Sequence, residues 1–101
     1  MTKLLLAAAL FALSAAAAAG GNPAAGKAKA STCVACHGAN GEGIGPSPAL
    51  AGKSQDDLLA ALGEYKSGKR TNVTMKKMAG KLKNEEDMAD VCAYFASLKK
   101  Q

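Results

Sequence analysis

Cys33-Val34-Ala35-Cys36-His37 puts two thiols and an imidazole within one short stretch of chain. Two thiols at this spacing, on one turn at the end of a helix, can reach the two vinyl groups along one edge of a porphyrin and form thioethers. The adjacent imidazole then lies beneath the iron as its proximal ligand. C-x-x-C-H is therefore an attachment signature for one covalent haem c. Three other chemistries use part of the pattern. A redox dithiol wants a βαβ surrounding, and no strand pattern lies nearby. A zinc site needs four ligands, but His37 is the single histidine and Cys92 lies far along the chain. A plain Cys33–Cys36 disulfide would suit an oxidising compartment, but the pentapeptide sits in an exported, all-helical, core-poor chain.

Moving toward the N-terminus, Asn22 is a good helix cap and Pro23 suits a first helical turn, where its missing N–H would go unpaired anyway. Ala and Lys then favour a helix from Pro23 to about Ala35. Earlier still, Lys3 is followed by an apolar run, Leu4 to Leu13, and by Ala15 to Ala19. A positive start, an apolar middle and an A-x-A end at Ala17–Ala19 read as a secretory signal peptide over residues 1–19, cleaved near Gly20. The run of about fifteen residues is short for a ~30 Å hydrocarbon core, so no stable membrane anchor is expected after cleavage. Residues 20–101 form one domain, placed in the periplasm.

Toward the C-terminus, Gly38 to Gly52 is a loop rich in Gly, with Pro46 and Pro48. Ser54 opens a second helix with Asp57 three residues on; Leu58, Leu59, Leu62 and Tyr65 share a face, and Gly68 closes it. Lys69 to Leu82 reads as a connecting loop. Asn84 caps a third helix whose first turn is acidic and whose apolar stripe runs Met88, Val91, Cys92, Phe95, Leu98. Strand periodicity is missing throughout, so the fold class is all-α.

The domain's core is thin. From Gly20 onward only sixteen Val, Ile, Leu, Met, Phe or Tyr residues remain, and a small scaffold needs an insert or staple to compensate. A haem would fill that middle. With histidine used up, its second axial ligand must come from Met75, Met78 or Met88. Met88 belongs to the helical stripe, and spacing alone does not choose between the other two. A thioether ligand favours ferrous iron and a higher potential.

The formal charge is +5 for the whole chain, with Lys and Arg not packed into one contiguous run. Such charge suits encounters with acidic partners. Without aromatic residues interleaved among the basic ones, no nucleic acid is expected as partner.

The chain resembles the class I cytochromes c, in particular small bacterial periplasmic monohaem members and single halves of periplasmic dihaem members. The resemblance rests on Cys33 to Gly43 (CVACHGANGEG), Pro48 to Gly52 (PALAG), Tyr65 to Asn72 (YKSGKRTN), Met75 to Ala79 (MKKMA) before Leu82, and Asp90 to Phe95 (DVCAYF). It implies the cytochrome c fold: three main helices and loops around one haem, with N- and C-terminal helices crossing where Gly26 and Ala30 allow close approach. It selects Met75 as sixth ligand, seven residues before Leu82, and makes the Pro48 carbonyl the acceptor for the other ring N–H of His37. Arg70 becomes a candidate partner for a haem propionate. Cys92 departs from the small residue, such as alanine, that similar proteins carry there, and its place in the stripe reads as a buried, inert thiol.

The expected function is outer-sphere transfer of one electron between periplasmic redox enzymes, with no catalysis. Partners of this class include a quinol–cytochrome c oxidoreductase, a terminal oxidase or a periplasmic dehydrogenase, met by a monomer. Two rivals remain: a haem enzyme or gas sensor with a weak sixth ligand, and an electron-entry subunit fixed to one dehydrogenase.

Overall fold

The computed structural model describes residues 20–100; the expected leader falls on residues 1–19, outside that range. Five helices follow one another: α1 Pro23–Lys29, α2 Ser31–His37, α3 Gln55–Ser67, α4 Val73–Gly80 and α5 Glu85–Ser97. Among the described residues the only β feature is an isolated bridge between Ile44 and Ser47.

Asn22 caps α1, its side-chain oxygen accepting from Ala24 N at 2.9 Å and Ala25 N at 3.2 Å. The single helix expected up to about Ala35 is in fact two, stepped at Ala30. The Ala30 carbonyl there accepts from both Cys33 N (2.8 Å) and Val34 N (3.1 Å). That shared acceptor tightens one turn without ending the run, and α2 carries on to His37. Gly38 stops it with a φ of 99°, a conformation open mainly to glycine.

Ser54 Oγ accepts from Asp57 N at 3.1 Å to start α3, and Gly68 ends it in the left-handed conformation. The expected loop from Lys69 to Leu82 is largely helical instead. Asn72 Oδ1 accepts from Met75 N at 2.9 Å and opens α4. The eight residues VTMKKMAG carry too short an apolar pattern to announce a helix. Asn84 Oδ1 accepts from Asp87 N at 2.8 Å to open α5. Lys99 and Lys100 lie just beyond its end at Leu98.

α1 and α5 cross in close contact. A Cβ on Gly26 would strike the Asp90 carbonyl and come within 2.9 Å of Tyr94 Cβ, and one on Gly21 would strike the backbone at Ala89. Only hydrogen fits at either point. Asp90 ties the crossing together, although it is a carboxylate only 4% exposed. It accepts from Asn22 N at 2.7 Å and from Lys29 Nζ at 2.7 Å, and Lys29 also pairs with Asp87 at 2.8 Å. The Asn22 N–H, and then Lys29, hold the Asp90 carboxyl below the usual carboxylate range. Ala30, Leu58, Leu82, Val91, Cys92 and Phe95 form the core beside this seam.

Candidate haem site

Between α2, the glycine loop, α3, α4 and α5 lies a cavity of about 760 Å³, within the size range of cofactor pockets. Cys33, Cys36, His37, Pro48, Met75 and Met78 all line it. Met88 does not; it packs against the core, and Lys66 Nζ lies 3.7 Å from its sulfur. The helix that was read as loop thus delivers both candidate thioethers, three residues apart and on one side of α4.

His37 is buried, at 6% exposure. Its Nδ1 lies 2.7 Å from the Pro48 carbonyl oxygen. A donated Nδ1–H leaves Nε2 as the nitrogen with a free lone pair. The loop geometry makes that contact possible. Gly43 N donates to the His37 carbonyl at 2.6 Å, and Gly41 O accepts from Leu50 N at 2.8 Å and Ala51 N at 2.9 Å. Gly43 has φ 90°, and a Cβ on it would sit 2.9 Å from Ala49 N. A side chain there would push the Pro48 segment away from the imidazole.

The three cysteines differ. None is in a disulfide: Cys36 is exposed, Cys33 is half-buried and Cys92 is buried. Cys92 also lines the cavity. Burial pushes its thiol up to about 12, so it carries no thiolate at neutral pH and is inert as a nucleophile. Arg70 lies at the cavity too, but it is engaged: its Nε donates to Glu64 Oε1 at 2.7 Å, and its guanidinium sits 5.6 Å from the Tyr65 ring centre. The Arg70 hydrogen bond holds the Glu64 carboxyl below its ordinary range. This Glu64–Arg70 link was not read from the sequence; its signal is an acid and an arginine facing each other across the Gly68 turn.

The donor set fits haem c. Two thiols sit three residues apart on one helix, a buried imidazole has one nitrogen committed to a carbonyl, two thioethers share the cavity, and the walls are largely apolar. The zinc alternative finds no support, since among the described residues no three His, Cys, Asp or Glu side chains gather to hold a metal.

The family model for cytochrome c matches residues 23–99, and the chain belongs to the cytochrome c family. It is 46% identical over 101 residues to cytochrome c4 of Pseudomonas aeruginosa, covering 98% of this chain and 50% of that protein. It is 42% identical over 81 residues to cytochrome c-554(548) of Halomonas halodenitrificans, covering 76% of this chain and 96% of that one. The cytochrome subunit of sulfide dehydrogenase from Chlorobaculum tepidum is 33% identical over 70 residues, covering 69% of this chain and 63% of that protein. Among solved structures, reduced cytochrome c4 from Pseudomonas stutzeri superposes with a TM-score of 0.73 at 34% identity, over 80% of this chain and 47% of that one. Thiosulfate dehydrogenase from Marichromatium purpuratum gives 0.72 at 34%, over 78% and 20%. The chain thus spans half the length of the Pseudomonas aeruginosa cytochrome c4 it matches. Its all-helical fold is that of cytochrome c.

Proposed function

We propose that the chain is a periplasmic carrier of single electrons, with one haem c attached through Cys33 and Cys36 and ligated by His37 and Met75. The observation that carries the reading is the meeting of both thiols, the Pro48-bound imidazole and Met75 in one cavity.

When bound, the haem iron supplies a one-electron ferric–ferrous couple. Cys33 and Cys36 fix its position covalently, so a thin core suffices. The Pro48 carbonyl holds the His37 ring in orientation and raises the basicity of Nε2 as a ligand. Met75 offers a soft thioether that favours the reduced ion. Its backbone is pinned at the start of α4 by the Asn72 cap, and it stands seven residues before Leu82, as in the class I cytochromes c that the chain resembles. Apolar walls, including Leu58, Val91 and Phe95, exclude water. With His37 and Met75 both committed to the iron, small molecules would find no open position, as suits a carrier of electrons.

The secretory leader expected from the sequence of residues 1–19 supports the periplasmic setting, and no described helix is long and apolar enough to cross a membrane. The mature domain, residues 20–101, would act as a monomer with partners such as a quinol–cytochrome c oxidoreductase, a terminal oxidase or a periplasmic dehydrogenase. The likeness to a sulfide dehydrogenase subunit and to thiosulfate dehydrogenase gives a second reading its support: a subunit bound to one dehydrogenase. Stable co-purification with such an enzyme would favour it over a mobile carrier.

The test is spectroscopic. The ferric protein should show a far-red methionine–iron band, lost in Met75→Ala and kept in Met78→Ala. The reduced protein should not change under carbon monoxide. The reverse methionine pattern would move the ligand to Met78, and rapid carbon monoxide binding would favour the sensor or enzyme reading.

A further inference from the structure

Helix α4 has little of its own to keep it formed. Its eight residues begin with the β-branched Val73 and Thr74 and end in Gly80, all weaker helix formers than alanine. An isolated helix of fewer than about a dozen residues is marginal in water. The inner side of α4, with Met75, Met78 and Ala79, meets the cavity and not a neighbouring helix. On the outside Val73 is 88% exposed, and nothing lies within 4 Å of a Cβ placed on Gly80. Among the described helices, α3 is its close neighbour. The helix therefore depends on how its two ends are held.

The N-terminal end is tied mainly by backbone. Arg70 N donates to the Glu64 carbonyl at 3.1 Å, and Asn72 caps the first turn. The C-terminal end is tied by a single side chain. From the last turn of α3, Lys66 Nζ donates to the Leu82 carbonyl at 2.7 Å. Leu82 is buried, and no backbone N–H reaches its carbonyl among the described residues. Lys66 is half-buried and pairs with no carboxylate among the described residues; its other polar neighbour is the Met88 sulfur at 3.7 Å. A half-buried ammonium with no anion beside it loses hydration that only its hydrogen bonds offset. A buried carbonyl stripped of its one donor is left unsatisfied. Each group thus needs the other, and the bond between them joins α3 to the residues that directly follow α4.

We infer that Lys66 is a positioning residue for the methionine side of the site: its bond to the Leu82 carbonyl latches α4 against α3, keeps Met75 at the cavity and so holds small molecules off the iron. The inference rests on the His37–Met75 reading above and assigns what keeps the second ligand in place. Two helical turns are too few for one end to fray while the other stays formed, so a break at Leu82 reaches Met75. Such an opening is local; α5, seated on α1, takes no part in it. The Glu64–Arg70 ion pair is a weaker fastener, because it is solvent-exposed.

The test uses the purified holoprotein. Lys66→Met keeps the length of the side chain and removes both donor and charge. Lys66→Arg keeps donor and charge. Lys77→Gln removes the same charge from the exposed side of α4 without touching Leu82. Carbon monoxide binding to the reduced protein reports release of the thioether: the sulfur leaves, carbon monoxide takes its place, and no electron or proton moves. Hydrogen exchange of α4 amides against α5 amides reports the same opening without reference to iron. Lys66→Met should speed both carbon monoxide binding and α4 exchange by about tenfold or more, the scale of one hydrogen bond from a charged donor, while α5 exchange holds. Lys77→Gln should stay within about twofold of the wild type, the range of an ordinary surface substitution, and Lys66→Arg should lie far closer to the wild type than Lys66→Met. If Lys66→Met yields no folded holoprotein, Lys66→Gln, whose amide is one bond too short for the Leu82 carbonyl, carries the same expectations. Exchange that quickens equally in α4 and α5 overturns the inference, since Lys66 would then serve only global stability. So does unchanged α4 exchange, an arginine variant as open as the methionine one, or a Lys77→Gln effect equal to that of Lys66→Met. Failure of the ligand reading looks different: a wild-type protein that lacks the far-red band and takes up carbon monoxide readily ends that reading, and the ratio of α4 to α5 exchange still decides the latch.

Discussion

The α1–α5 crossing and the α4 side of the molecule are built in opposite ways. At the crossing, protein meets protein with no space left over: Gly26 touches the Asp90 carbonyl, and Asp90 ties Asn22 and Lys29. Around α4 the chain lines a partly open cavity of about 760 Å³ with largely apolar side chains. One half can hold itself together by packing. The other is shaped to be completed by a prosthetic group, and in the proposed reading a covalent tether through Cys33 and Cys36 keeps that group in place.

The largest effect should come from Cys33→Ser with Cys36→Ser. The variant loses covalently bound haem, read by mass after acid–organic extraction. Its α4 amides should exchange with solvent at least a hundredfold faster, while those of α5 stay the most protected. Equal protection in both helices would break the contrast. Phe95→Ala sits on the border, since Phe95 is 2% exposed, packs at the core and lines the cavity. It should destabilise the holoprotein by about 3–5 kcal/mol in denaturant titration. Gly26→Val acts on the crossing alone and should lower stability by about 1–3 kcal/mol without altering the visible spectrum. A spectral change would mean that the seam and the site are coupled.

Asp90→Asn sharpens the contrast through pH. The folded-state carboxyl titrates below its unfolded value of about 3.9. Its ionised form therefore stabilises the fold above that value, and the stabilisation is lost as pH falls through the lower folded value. Thermal melts of the wild type should drop across that acid window. The Asn variant should start lower at neutral pH and fall less steeply. Arg70→Gln should have the smallest effect on folding, within about 1 kcal/mol, because the Glu64–Arg70 pair is solvent-exposed. A loss much larger than this would show that the pair braces the cavity.

What the sequence disclosed follows from where the physics is local. Asn22, Ser54 and Asn84 each cap a helix through atoms two or three residues away, and all three were legible. So was the C-x-x-C-H stretch, whose chemistry is complete within five residues. Helix α4 was hidden because its inner face packs toward a cavity and not toward a stripe of leucines, leaving just Met75, Met78 and Ala79 as signal. Asn72 with its partner N–H three residues on was the clue that could have found it. The step at Ala30 was also unreadable, since alanine favours a continuous helix and the tightening comes from tertiary packing. Asp90 is legible only as the first residue of a family-like stretch; its partners Asn22 and Lys29 are more than sixty residues away, beyond any local pattern.

That separation has a consequence for biogenesis. The bond from Asn22 to Asp90 spans 68 residues, so α1 cannot take its seat until α5 has emerged. A chain delivered from its N-terminus therefore presents Cys33, Cys36 and His37 as an open strand of thread for much of its delivery. In the proposed reading, covalent attachment at these thiols would gain a window in time from nothing more than the order in which the knot is tied.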